Sequence, residues 1–165
     1  MKRIVLLTFV LIANFAHGKE TMNYKIQIQK MSAQPILVMK GKVKIEEAGK
    51  AIGARIEAVS TFLAKLKIQP ISAPITRTYS FEKGVLEFET GFAVAKPSQG
   101  EGAIVASELP EGNAVTTIHT GDQATSENAY AAIHAWMDTN GKKPAGAPWE
   151  VYLSENKMEI FFPIQ

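Results

Sequence analysis

Apolar and polar residues alternate in short segments over most of the chain, which is the pattern of strands covered on one face. The clearest segment is 24–29, where apolar residues occupy every second position. Residues 33–35 interrupt this pattern, and an extended apolar run resumes at 36–39. Later strands are predicted over residues 75–81, 85–94, 103–109, 113–119, 147–152 and 158–164, with turns at 82–84, 110–112 and 155–156.

Two other segments have the three- and four-residue spacing of amphipathic helices. In residues 48–67 an apolar stripe is formed by Ile52, Ile56, Val59, Leu63 and Leu66, and the helix must end before Pro70. The second stripe is formed by Tyr130, Ile133 and Met137. Thr125 or Ser126 can cap this second helix, and Gly141 follows its end.

The predicted order strand, strand, helix, strand, strand occurs twice, over residues of about 24–95 and about 103–165, with a connection at 95–102. Some residues repeat with it: Ala58, Phe62, Pro70, Ala73 and Pro74 stand 74 positions before Ala132, Trp136, Pro144, Ala147 and Pro148. A repeat of this kind determines the whole architecture. The sequence therefore predicts an α+β fold of duplicated β-β-α-β-β units with pseudo-twofold symmetry. One antiparallel sheet would carry two helices on one face and a ligand groove on the other.

One carboxylate stands among apolar and aromatic residues in the segment 147–152. Side chains alternate between the two faces of a strand, so Glu150 and Tyr152 share one face, whereas Trp149, Val151 and Leu153 share the other. A helix is expected to cover the apolar face. That arrangement would turn Glu150 and Tyr152 toward the groove.

The N-terminus has the layout of a secretory signal peptide. Lys2 and Arg3 precede the apolar run 4–13, and small residues follow at Ala16 and Gly18. Cleavage is predicted after residue 18, leaving a mature domain of residues 19–165 that is periplasmic or secreted. The alternative is an uncleaved membrane anchor, for which the apolar run is short, because a span needs roughly 20 apolar residues.

Charge and composition argue against several classes of function. The leader holds two of the 18 basic residues and no acidic one, so the mature chain has 16 of each sign. Without a basic tract, nucleic acid is a poor partner. The chain contains no cysteine, so its core must stabilise the fold without disulfides. The two mature histidines, His119 and His134, have no spacing typical of metal ligands, and no phosphate-binding loop or nucleophile elbow is present. No metal, cofactor or catalytic residue is predicted.

Glu150 is the leading candidate for a functional side chain. It can be a simple solvated carboxylate, a group that attracts a cation with help from neighbouring rings, or a general acid or base if burial raises its pKa. Tyr152 on the same face is a second candidate for ligand contact. Met39 and His119 are predicted to line the groove from the strands of the two halves.

The C-terminal half resembles a known family. The segments that carry the resemblance are 109–115, 119–121, 129–136, 149–152 and 159–164. Together they are similar to the gyrase-inhibitor-like (GyrI-like) small-molecule-binding domain, also called the effector-binding domain of bacterial transcription activators. The resemblance extends over about residues 24–165.

The resemblance implies a duplicated unit with a ligand groove between its halves. It also implies that Glu150 occupies the place of a glutamate that pairs with cationic aromatic ligands in multidrug-sensing members. The first hypothesis is an exported, non-catalytic protein that binds an apolar ligand, with cationic aromatic compounds among the candidates. Some relatives resemble hydrolases of cyclopropane-bearing compounds, so the second is a hydrolase using Glu150 and Tyr152. The third is a groove for a peptide or partner protein. With a signal peptide and no DNA-binding segment, direct control of transcription is not expected.

Overall fold

The computed structural model describes residues 23–122 and 125–165, so the predicted signal peptide lies outside the described residues. The first half consists of β1 (Gln27–Met31), β2 (Gln34–Lys44), α1 (Ile45–Lys65), β3 (Ile75–Glu82) and β4 (Val85–Ala93). The second consists of β5 (Ile104–Leu109), β6 (Gly112–Thr120), α2 (Glu127–Thr139), β7 (Trp149–Ser154) and β8 (Lys157–Ile164). The predicted order of elements is confirmed.

All eight strands form one antiparallel sheet in the order β1-β6-β8-β7-β3-β4-β2-β5, which confirms the α+β class. Each half contributes one strand to the other, because β1 pairs with β6 and β5 pairs with β2. β3 and β7 meet at the centre of the sheet, so this is where the two halves join. Among the described residues no helix is long and apolar enough to cross a membrane.

Local sequence signals locate most element ends. Lys83 and Gly84 have φ values of 51° and 76° and form the tight turn between β3 and β4. Gly141, with φ of 62°, follows α2 as predicted. Ser126 is the N-cap of α2, but its side chain makes no capping bond because its backbone is already helical. β2 extends beyond the predicted residues 36–39, since its lysine-rich end continues the ladder with β4 as far as Val85.

Both helices pack on the same face of the sheet. α1 buries Val59 and Leu63 against Leu37 of β2 and Phe92 of β4, which are opposite each other in the ladder. α2 buries a similar stripe against β6 and β8, in a cluster that includes Ala129, Ile133, Met137, Val115, Ile160 and Phe162. Register across the sheet places the two clusters on one face, so the predicted arrangement of two helices on one side is confirmed.

The other face carries no helix and is nevertheless buried at its centre. Its core cluster draws on every strand of the curled sheet: Met31, Ile36, Val38, Ile75, Ala93, Leu109, Ala114, Trp149, Val151 and Phe161. The Trp149 and Phe161 rings are stacked, with centroids 5.2 Å apart. Strands of the same sheet therefore cover this apolar face.

The predicted orientation of β7 is wrong in one respect. Glu150 and Tyr152 lie on the face that carries the helices, and Tyr130 of α2 contacts Glu150 directly. Trp149 and Val151 lie on the opposite face, where the curl of the sheet buries them. The prediction assumed that only a helix can cover an apolar strand face, but the curled sheet does so instead. A groove at Glu150 consequently lies between the two helices.

Candidate functional site

The centre of the helix-bearing face is a row of side chains that runs across six strands. Neighbours in the row are directly opposite each other in the ladders, in the order Met39, Thr90, Thr76, Glu150, Ile160, Thr117. α1 packs over β2 and β4 at one end, and α2 packs over β6 and β8 at the other. Glu150 therefore lies between the helices, at the junction of the two halves.

Two tyrosine hydroxyls hold the Glu150 carboxylate. Tyr130, on α2, donates a hydrogen bond of 2.8 Å to Oε1. Tyr152, two residues along β7, donates another of 2.8 Å to Oε2. Hydrogen bonds to an ionised acceptor are shorter and stronger than neutral ones, so this pair fixes the direction of the carboxylate. Each oxygen keeps further acceptor capacity for a ligand.

Tyr130 is held in its neutral form. Burial raises the pKa of Tyr130 well above its ordinary value, and the negative charge of Glu150 raises it further. The Tyr130 hydroxyl thus stays a hydrogen-bond donor to the carboxylate across the physiological pH range.

The floor of the site beside Glu150 is polar but internally bonded. The hydroxyls of Thr76 and Thr90 are 2.9 Å apart, and the Thr90 hydroxyl also donates to the Ile75 carbonyl at 2.8 Å. Both threonines are buried. These two hydroxyls thus have partners within the sheet. Of the six residues in the row, Glu150 is the charged one.

A depression of about 170 Å³ adjoins the site on the α1 side. It is lined by Gly49, Ile52, Gly53, Ile56 and Tyr152. Tyr152 thus belongs to both features, because its ring lines the depression and its hydroxyl binds Glu150.

A larger depression, of about 470 Å³, lies elsewhere on the sheet and is lined by Lys40, Gly41, Lys42, Tyr79, Glu87 and Phe88. Its lysines are opposite Glu89 and Glu87 in the β2–β4 ladder, away from Glu150. We place the candidate site at the smaller depression, because Tyr152 in its lining binds Glu150, a carboxylate held by neutral donors.

The four predicted contact residues are not all together. Glu150 and Tyr152 are in contact, as their spacing implied. Met39 is in the Glu150 row but three strands away, and it packs against the cluster under α1. His119 is fully buried, and Met158 separates it from Tyr152 in the ladders.

The bonds of His119 are those of a packed core residue. Its Nε2 is 3.0 Å from the Asp122 carbonyl, and its Nδ1 is 2.9 Å from the Tyr24 hydroxyl. A carbonyl oxygen can only accept, so Nε2 carries a hydrogen, and Nδ1 of the neutral ring accepts from Tyr24. A role of His119 in ligand contact stays a prediction.

Sequence reasoning missed Tyr130 and the α1 side of the site. Helical spacing assigned Tyr130 to the buried stripe of α2, and no local signal indicates that its hydroxyl reaches a strand 20 residues later. Gly49 and Gly53 have no side chain to contribute to the apolar stripe of α1, so helical spacing gives no signal for them. Within the described residues no group of three or more potential metal ligands occurs.

Comparison with known proteins identifies the family and similar folds. The family model described as GyrI-like small molecule binding domain matches residues 24–165. A search of curated protein sequences found no significant match. The fold is similar to EcmrR in a DNA complex, with a TM-score of 0.76 and 21% identity over 87% of this chain and 58% of that one. It is also similar to the isolated EcmrR C-terminal domain, with a TM-score of 0.69 and 24% identity over 87% and 99% of the two chains.

Two other solved structures have a similar fold. A hydrolase from Listeria innocua has a TM-score of 0.62 and 17% identity over 86% of this chain and 92% of its own. SAV2435, solved with bound tetraphenylphosphonium, has a TM-score of 0.59 and 11% identity over 87% and 94% of the two chains. At these identities the likeness establishes the fold alone.

Proposed function

The chain belongs to the family of GyrI-like small-molecule-binding domains, and from that premise we propose that it binds a hydrophobic cation against Glu150, in the groove between α1 and α2. One observation carries the proposal. Within residues 23–122 and 125–165 no basic side chain forms an ion pair with Glu150, whose carboxylate is bonded by the neutral hydroxyls of Tyr130 and Tyr152 and lies next to the depression that Tyr152 lines. A half-buried carboxylate of this kind has uncompensated charge that a cationic ligand can neutralise.

The rings around the carboxylate favour the same class of ligand. Tyr130 and Tyr152 place aromatic surface beside the negative charge, and a cation over such a ring gains additional attraction. Ile52 and Ile56 supply apolar surface on the α1 side. SAV2435 was solved with tetraphenylphosphonium, a cation that carries four phenyl rings of its own. A carboxylate with aromatic and apolar neighbours, such as Glu150, suits a molecule of this kind.

We assign ligand contact to Glu150, Tyr152 and Tyr130. Met39 would be reached by a ligand that extends along the row over Thr76 and Thr90. His119 would contribute only if the packing around Tyr24 opened, since its ring is buried.

The test is calorimetric titration of the purified protein with tetraphenylphosphonium. Glu150→Gln removes the charge and retains the shape, so we expect affinity to fall at least tenfold, about the 1.4 kcal/mol expected for a lost charge-assisted contact. Glu159→Gln is the matched control. Glu159 is also a half-buried strand glutamate bound by neutral donors, Thr116 and Gln29, but it lies on the other face. Equal affinity in Glu150→Gln and the unsubstituted protein would contradict the proposal.

A second candidate function is hydrolysis of small reactive compounds. The observation in its favour is the direct contact of a carboxylate with two phenolic hydroxyls, an arrangement that can relay a proton to or from substrate or water. Mass spectrometry of a cyclopropane-bearing ester after incubation with the protein is the test. If the protein is a hydrolase, product should form, and Glu150→Gln should prevent its formation. Recovery of intact compound would argue against hydrolysis.

We further propose that the two halves arose by duplication and are related by a pseudo-twofold axis between Thr76 and Glu150. In support, exchanging each strand for its counterpart in the other half reverses the strand order of the sheet. Reciprocal bonds also run from the Thr78 N–H to the Pro148 carbonyl at 3.1 Å, and from the Tyr152 N–H to the Pro74 carbonyl at 2.9 Å. Superposing β2 to β4 on β6 to β8 in a crystal structure tests this, and unmatched registers would exclude it.

Export is proposed from the pattern of residues 1–18. N-terminal sequencing of the protein recovered from fractionated cells should begin at Lys19, in the periplasmic or extracellular fraction. Recovery of protein that starts at Met1 in the membrane fraction would favour an uncleaved anchor instead.

A further inference from the structure

The two sides of the groove are chemically different, although they occupy corresponding places in the two halves. Residues 74 positions before Tyr130, Glu150 and Tyr152 are Ile56, Thr76 and Thr78. The α2 side therefore offers a carboxylate with phenolic donors. The α1 side offers isoleucine and the open depression at Tyr152.

The α1 side of the depression has two glycines among its four lining residues. Gly49, Ile52, Gly53 and Ile56 are three or four residues apart and so lie on one side of α1; we call them the α1 wall. A Cβ atom added at Gly49 or Gly53 would meet nothing within 4 Å. Each glycine inside a helix lowers stability relative to alanine, so the pair has a cost. Packing does not account for that cost, because the space beside both glycines is open.

The volume of the depression indicates the size of group that it can hold. Its volume is about 170 Å³. Apolar cavities of about 150 Å³ accept benzene, so a depression of this size is matched by one aromatic ring. Tyr152 completes the lining, and a flat ring in the depression would have apolar contact with it and with the α1 wall.

We propose that the α1 wall and Tyr152 bind a single flat aromatic ring of the ligand, that the cationic end faces Glu150, and that Gly49 and Gly53 determine the size of the ring accepted. The inference rests on the proposed function, and it adds the ligand's orientation and the residues that select it. The ligand class is an aryl-substituted ammonium or phosphonium ion.

The test compares variants that alter the wall without altering the charge. The probe is benzyltriethylammonium, titrated into the full protein. Gly53→Leu introduces a good helix former into open space, so the melting temperature should rise by roughly 2–4 °C, while the side chain occupies the depression and affinity falls at least tenfold. Gly53→Ala should also raise the melting temperature and lower the affinity, but its loss of affinity should be smaller.

Ala54→Leu is the matched control, because Ala54 is exposed and lies about 160° around the helix from Ile52 and Ile56. It should leave affinity unchanged. Unchanged affinity in Gly53→Leu would overturn the inference.

The two proposals fail in different ways. Binding that depends on Glu150 but is unaffected by Gly53→Leu overturns the α1 wall alone. Absence of binding by the unsubstituted protein, or binding unaffected by Glu150→Gln, overturns the proposed function as well. A substitution at Gly53 with a purely structural effect would move the melting temperature and leave affinity unchanged.

Discussion

The Tyr130 hydroxyl donates a hydrogen bond of 2.8 Å to Oε1 of Glu150 and thereby joins α2 to the centre of the sheet. Since Tyr152 binds the other oxygen, the carboxylate is positioned before any ligand arrives. A cationic ligand must share that carboxylate with two neutral donors. This competition makes the hydroxyls, as well as the charge, determinants of affinity.

Removing one hydroxyl should therefore strengthen cation binding. Tyr152→Phe retains the ring beside the depression and leaves Oε2 without its internal donor, so a cation should bind several-fold more tightly. Stability should fall by about 1.5–3 kcal/mol, because a hydrogen bond to a charged group is lost. Titration calorimetry and urea unfolding of the same preparation measure both effects. Weaker binding in Tyr152→Phe would indicate that the ligand bonds directly to the hydroxyl and does not compete with it.

The raised pKa of Tyr130 should make the protein less stable as pH rises into the alkaline range. Its pKa is raised, so between the ordinary tyrosine value of 10.0 and the higher folded value the unfolded chain binds fewer protons than the folded one. The free energy of unfolding must then fall as pH rises above about 10, while the contribution is intact below that value. Urea unfolding between pH 9 and 11 should show a shallower decline in Tyr130→Phe than in the unsubstituted protein. Identical slopes would mean that the hydroxyl titrates normally.

Breaking the buried ion pair of Arg77 and Glu89 should strongly destabilise the fold. Glu89 is fully buried, and its carboxylate is bonded by Arg77 and by the Ser107 hydroxyl. Arg77→Met leaves that charge without its partner, so unfolding free energy should drop by about 3–5 kcal/mol. The double variant with Glu89→Met should recover much of the loss, because both charges are then absent.

An exposed pair provides the comparison. Lys42 and Glu87 are 3.6 Å apart and largely exposed, so Lys42→Ala should cost less than about 1 kcal/mol. Urea unfolding measures both losses. If Lys42→Ala and Arg77→Met lost similar stability, burial would not be the source of the large loss expected for Arg77→Met.

His119 distinguishes a packing role from ligand contact. His119→Leu removes the donor to the Asp122 carbonyl and the acceptor of the Tyr24 hydroxyl, so stability should fall by about 1–3 kcal/mol. Affinity for tetraphenylphosphonium should not change in the folded protein, because the ring is buried beside Met158. Loss of affinity without loss of stability would support the sequence prediction that His119 lines the groove.

Much of this molecule could be read from short stretches of chain. Alternation of apolar residues located most strands, and three- and four-residue spacing located both helices within a few residues. These signals work because they reflect strand and helix geometry, which is a local property. The common face of Glu150 and Tyr152 followed in the same way, and their contact confirms it.

What the sequence by itself determined is thus the order of elements, the class of fold and the residues that share a strand face. Only the tertiary structure decided which face the helices cover, since the burial of Trp149 depends on strands from the entire curled sheet. It also decided that Tyr130 meets Glu150 and that the α1 wall adjoins Tyr152. Such contacts join segments far apart in the chain, and they form where packing of the whole sheet brings them together, so no local pattern of residues encodes them.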